Sequence, residues 1–161
     1  MAVVTLHSSR FGVLEIPEEA VIEFPSGLIG LGGTQYALLA RNDDSAFVWL
    51  HSLDDPNLAV PVTNPFRFFE DFEVELSDEE AARIGLTEAD DPTVYVTVRA
   101  TDSLEGFSAN LYAPILISGG RGHQVINQTA DAPVRAPLPA PRLHFHRSPP
   151  ATSVPNWGSR E

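Results

Sequence analysis

Alternation of apolar and polar residues with period two recurs through residues 1–130 of this chain, as expected of strands that bury one face. Thr93-Val94-Tyr95-Val96-Thr97-Val98-Arg99 sets three valines on one side and Thr, Tyr, Thr and Arg on the other. Phe72-Glu73-Val74-Glu75-Leu76 and Phe107-Ser108-Ala109-Asn110-Leu111 repeat the pattern, and Pro114 to Ser118 adds an apolar strand. Earlier strands are expected at Val3–His7, Val13–Ile16, Val21–Phe24, Tyr36–Ala40, Phe47–His51 and Leu58–Val62. The connections are short and rich in Gly, Pro, Asn and Asp, which suits hairpins and leaves no room for helical crossovers. One helix is expected after Ser77. Ser77 and Glu80 have capping-box spacing, Asp78 and Glu79 suit the positive helix end, and Gly85 can end it. The pattern predicts an all-β fold: a small antiparallel barrel-like domain with one short helical insertion, a sandwich being the second choice.

The pattern stops near residue 130. The stretch Ala132-Pro133-Val134-Arg135-Ala136-Pro137-Leu138-Pro139-Ala140-Pro141 has neither periodicity nor an apolar face, and seven of the fourteen prolines fall after 130. Residues 1–130 are therefore expected to form the domain and 131–161 a disordered tail. Charge divides at the same place. Six arginines stand against twenty acids up to residue 130, a net of −14, and four against two beyond it, a net of +2.

Composition excludes several chemistries. There is no cysteine, hence no disulfide framework, thiolate zinc site or cysteine nucleophile. All ten basic residues are arginine, so a Walker loop, a Schiff base and Ser-x-x-Lys machinery are absent. A net charge of −12 disfavours direct nucleic-acid binding. No apolar run reaches the about 18 residues of a membrane helix, and the N-terminus lacks a signal-peptide layout, so a cytoplasmic protein away from the membrane is expected.

Individual candidates for chemistry are weak. The glycine-rich Gly27-Leu28-Ile29-Gly30-Leu31-Gly32-Gly33 is not a dinucleotide fingerprint and reads as a turn needing positive φ. Ser108 lacks the second glycine of a nucleophile elbow, and adjacent His51 and Ser52 face opposite ways on a strand. His144 and His146 lack further ligands, and Asp54-Asp55 and Asp90-Asp91 read as turn residues. Seven carboxylates crowd Glu70 to Glu80. Neither an enzyme nor a cofactor or metal is expected.

Four segments together are more specific. Ile22-Glu23-Phe24-Pro25-Ser26-Gly27-Leu28-Ile29-Gly30-Leu31, Trp49-Leu50-His51-Ser52-Leu53-Asp54-Asp55-Pro56, Asn64-Pro65-Phe66, and Asn110-Leu111-Tyr112-Ala113-Pro114-Ile115 with Gly122-His123-Gln124-Val125-Ile126 occur in order. With Leu31 in place of an aromatic and His51 in place of a glutamine, the chain from Phe11 to Gln128 resembles the FliW family of flagellar assembly factors. The resemblance implies a non-enzymatic, monomeric β-barrel that binds flagellin before export. It also implies binding to CsrA, the carbon storage regulator that blocks flagellin translation. On that footing Ser52 and Asn64, with Asn110 as a further choice, are expected to help present a flagellin-binding surface. Glu73 and Glu75 are expected to project outward and dock a basic partner such as CsrA. A flavin-binding split-barrel reductase shares the barrel class, but six arginines in the body and no lysine make a poor phosphate anchor.

Overall fold

In the computed structural model, seven strands close into a barrel. Residues 2–40, 47–85, 91–99, 106–129 and 132–138 are described, with the backbone of 152–153. The strands are β1 (Val3–Ser8), β2 (Gly12–Pro17), β3 (Ile22–Glu23), β4 (Gln35–Ala40), β5 (Phe47–Ser52) and β6 (Ala59–Thr63). After the helix α1 (Asp78–Ile84) come β7 (Thr93–Arg99), β8 (Ser108–Ala109), β9 (Ile115–Ser118), β10 (Arg121–Gln124), β11 (Ala136–Pro137) and β12 (Thr152–Ser153). The ring runs β3-β4-β5-β6-β7-β9-β10 and returns to β3. All its pairings are antiparallel except the short parallel contact that closes β10 on β3 at Arg121 and Glu23. Closure removes the free edges that an open sheet of this size would expose. Among the described residues, no helix is long and apolar enough to cross a membrane.

The barrel interior holds Ile22, Phe24, Leu28, Tyr36, Leu38, Leu50, Val62, Tyr95 and Ile115. Strand β4 is buried on both faces. Tyr36 and Leu38 point inward, while Ala37 and Leu39 meet Leu6, Phe11, Leu14 and Ile16 of the β1–β2 hairpin packed outside. Strand β7 is likewise covered twice: Tyr95 faces the interior, and Val94 and Val96 face an outer layer made with Phe72, Val74 and Leu76.

That outer layer differs from expectation in one respect. Phe72–Leu76 alternates in burial as the pattern required, with Glu73 and Glu75 exposed, yet it forms no strand. Its backbone is held by residues 127–129 rather than by a strand ladder: Gln128 N–H donates to the Glu75 carbonyl at 2.8 Å, and the side chain of Asn127 takes further groups. The Asn127 amide nitrogen donates to the carbonyls of Glu73 and Leu111 at 2.9 and 3.2 Å, and its oxygen accepts from the N–H groups of Glu75 and Thr129 at 2.9 and 3.2 Å. An extended segment so satisfied needs no ladder.

The helix starts and ends as its sequence dictates. Ser77 Oγ accepts from Glu80 N–H at 3.2 Å, and Gly85 closes the helix in a left-handed conformation. Ile84 carries it onto Leu116 and Val125.

Ordered packing continues past the boundary expected at 130. Ala136 pairs with Ala109 and is buried, Leu111 N–H donates to Pro133, and Leu138 N–H donates to Phe107. Proline-rich chain can still add to an edge, because only one side of a strand has to donate. Residues 152–153 pair with β4. His144 and His146 lie outside the described residues. A chain ending at 130 is therefore expected to lose about 1–3 kcal/mol relative to one ending at 138, from the lost apolar burial and edge hydrogen bonds. Urea midpoints of the two truncations test this; equal midpoints would mean that β11 adds nothing to stability.

Candidate functional site

The positions expected to carry function divide into those that build turns and those that reach solvent. Ser52 is fully buried. Its Oγ accepts from the N–H groups of Asp54 and Asp55, both at 3.0 Å, which bends the chain after β5. Burial leaves Ser52 one way to help present a surface, which is to hold the turn that carries its neighbours. The residue it presents is Asp54, whose carboxylate accepts from Thr34 and Gln35 N–H at 3.0 and 3.2 Å. The same carboxylate sits where a side chain at 33 would be. A Cβ there would lie 2.8 Å from Asp54 Oδ2, and with φ at +80° only glycine fits.

Asn64 caps the turn Pro65–Arg67, its Oδ1 accepting from Phe66 N–H at 2.9 Å. Asn110 does similar work after β8, accepting from Tyr112 and Ala113 N–H at 3.0 and 3.1 Å. Both are half-buried. Side chains of this type hold turns by local bonds to backbone.

His51 is buried and serves architecture. Its Nδ1 lies 2.7 Å from the Ser52 carbonyl, which can only accept, so Nδ1 carries the proton. Nε2 then accepts from the Ser8 hydroxyl at 2.8 Å. A serine–histidine pair at this distance has the geometry of an activated nucleophile. Ser8 and His51 are both buried, however, and Ser8 Oγ already accepts from the N–H groups of Arg10 and Phe11. The pair staples the β1–β2 hairpin to β5. Arg10 lies over the Trp49 ring at 4.6 Å on the same joint.

One cleft of about 310 Å³ gathers several of the remaining segments. The glycine-rich loop contributes Leu28, Ile29 and Leu31, and Asn110 and Ala113 stand opposite. Gln124 ties these walls together. Its Oε1 accepts from Ile29 N–H at 2.7 Å and its Nε2 donates to the Ala113 carbonyl at 2.9 Å. Tyr36 supports the loop from inside, donating to the Gly32 carbonyl at 2.6 Å, and burial raises its phenol above the usual 10.0, which keeps it a donor. The sequence reading missed the linking role of Gln124. The signal was its place in the last of the four segments, but the two hydrogen bonds span 95 and 11 residues.

The acidic segment has its own geometry. Glu70, Asp71, Glu73, Glu75, Asp78 and Glu79 are exposed. Glu80 differs from them: Oε1 pairs with Arg83 Nε at 2.9 Å and Oε2 accepts from Ile126 N–H at 3.1 Å. The hydrogen bond from Arg83 holds its carboxyl below the usual range. Arg83 also reaches Ser26 and the Gln124 carbonyl.

Next to this joint, His123 is buried with Nδ1 lacking a partner among the described residues. Burial lowers its pKa below 6.5, and Arg83 and Arg121 lower it further. The unfolded chain then takes up the proton more readily than the folded one, so stability is full above about pH 6.5 and falls as pH drops through the folded value. Glu80 acts in the same direction, but its usual value of 4.5 separates the two windows. Urea midpoints between about pH 6.5 and 5 are expected to fall less in His123→Gln than in the natural chain. Parallel profiles would exclude His123 as the cause.

Among the described residues, no group of three or more His, Asp or Glu side chains is arranged to hold a metal. Comparison with known proteins agrees on a family. Residues 5–138 match the family model described as FliW protein. The flagellar assembly factor FliW of Leptospira biflexa serovar Patoc is 34% identical over 136 residues, covering 82% of this chain and 89% of that protein. That of Desulfitobacterium hafniense strain Y51 is 31% identical over 136 residues, covering 83% and 90%. A crystal structure of the flagellar assembly factor FliW superposes with a TM-score of 0.73 at 28% identity, covering 83% of this chain and 95% of that one. With the barrel, the glycine loop and its glutamine tie in place, the chain belongs to the FliW family of flagellar assembly factors.

Proposed function

We propose that this protein works by binding, not catalysis: it holds flagellin in the cytoplasm and, when flagellin is scarce, binds CsrA and relieves its block on flagellin translation. Family membership carries this reading, since residues 5–138 match the family model. The described surface adds support. It offers one cleft of about 310 Å³ and an exposed acidic segment. An RNA-binding partner has basic surfaces, and complementary charge speeds encounter and selects partner.

The acidic segment is the proposed CsrA contact, with Glu73 and Glu75 at its centre. Exposed charge pairs contribute about 0.2–1 kcal/mol each. Glu73→Gln with Glu75→Gln is therefore expected to weaken CsrA binding about three- to tenfold at low salt. The difference should shrink as salt brings the screening length below about 8 Å. Titration calorimetry of both proteins at two salt concentrations measures this. Equal affinities throughout would move the CsrA contact elsewhere. Capture of flagellin by the natural chain, in a monomeric one-to-one complex, tests the other half of the reading.

A further inference from the structure

We infer that the cleft between the glycine-rich loop and β11 is a seat for an extended peptide segment in which apolar side chains flank a carboxylate, and that flagellin supplies it. This rests on the flagellin-binding reading above and specifies its chemistry.

Charge is the first observation. The chain carries −12 overall, yet among the described residues the charged side chains lining this cleft are Arg99 and Arg135, with no carboxylate beside them. Arg83 is paired with Glu80 and Arg10 lies on Trp49. Arg99 and Arg135, both exposed, make no ion pair with a carboxylate among the described residues. Guanidinium groups take carboxylates in a planar two-point contact.

The second observation is apolar surface beside that charge. Ile29 is 61% exposed and Val134 is 55% exposed, and both line the cleft, above buried Leu28. Two exposed apolar side chains on one concavity give a bound segment apolar surface to cover. At about 310 Å³ the space is at the small end of binding cavities, enough for a few side chains of a segment laid across it.

The third is rigidity. Gln124 bonds the Ile29 and Ala113 walls to each other, and β11 holds Arg135 by pairing with β8. A preformed site loses little order on binding. Cationic lining also decides between the two proposed partners. It repels a basic RNA-binding protein and suits an acid-bearing segment of the other.

Overlapping synthetic peptides covering the flagellin of the same genome, labelled for fluorescence anisotropy, and full-length flagellin are the probes. An acid-bearing apolar peptide is expected to bind the natural chain. Arg99→Gln with Arg135→Gln should weaken that peptide and flagellin about tenfold, and Arg99→Lys with Arg135→Lys should recover part of the loss. Changing the peptide's acids to amides should weaken binding to the natural chain equally and make no further difference to the double glutamine variant. Both arginines are exposed, so thermal melts should coincide. If flagellin binds the natural chain and the glutamine variant equally, or through a segment without a carboxylate, this inference fails while the flagellin reading stands. If the natural chain captures no flagellin, both fail.

Discussion

Replacing Phe24 with alanine is expected to destabilise the barrel by about 3–5 kcal/mol, the range for removing a buried aromatic ring. Phe24 is fully buried, meets Tyr36 edge-on at 5.5 Å between ring centroids, and belongs to the interior cluster. Its ring also occupies the place of a side chain at 122. A Cβ built on Gly122 would lie 2.5 Å from Phe24 Cζ. Gly122 sits in β10, the strand that closes the ring between β9 and β3, so its backbone has little freedom to retreat. Gly122→Ala alone should cost about 3 kcal/mol by overpacking. In the double variant the new methyl enters space left by the ring, so the combined loss should fall short of the sum by about 1–2 kcal/mol. Urea unfolding of the four proteins gives the coupling directly. Strict additivity would mean that the ring and residue 122 do not share that space.

Asn127→Ala should cost about 2–4 kcal/mol, more than an ordinary surface change, because it strands several backbone groups at once. Asn127 is 3% exposed and binds the backbone of Glu73, Glu75, Leu111 and Thr129. Asn127→Asp keeps the acceptor but turns a carboxylate oxygen toward the carbonyls of Glu73 and Leu111. It should not restore stability. The functional consequence follows from position. Asn127 fixes the backbone under Glu73 and Glu75, so under the proposed CsrA contact its alanine variant should also weaken that binding, with both carboxylates intact. Chemical denaturation and calorimetry check the two halves. A stable alanine variant would show that the apolar side chains and the bonds from Gln128 and Thr129 suffice to hold the acidic segment.

Local order was legible in the amino-acid sequence wherever the physics is local. The helix starts at the Ser77 cap and stops at Gly85 as expected, running from Asp78 to Ile84. The Glu80 carboxylate of the capping-box pair is taken by Arg83 and Ile126. Strands β4, β5, β7 and β9 fall within one residue of the stretches expected to form them. The outward direction of Glu73 and Glu75 was equally readable, since it follows from alternation alone. That Ser52 is buried and holds a turn was not readable, because turn residues and contact residues share the same polar types.

Phe72–Leu76 alternates as a strand does, but strand pairing depends on a neighbour, and here the amide of Asn127, more than fifty residues away, took the backbone instead. Burial of β7 on both faces and the packing of β11 past residue 130 arise the same way, from outer layers contributed by distant chain. The cleft is the clearest case. Arg99, Arg135, Ile29 and Gln124 are ordinary residues in their own neighbourhoods, and only closure of β10 on β3 and addition of β11 to β8 bring them together. Alternation, caps and turn chemistry act over a few residues and can be read from the chain; which strands meet, and which side chains then share a cavity, is set by long-range packing that no local pattern encodes.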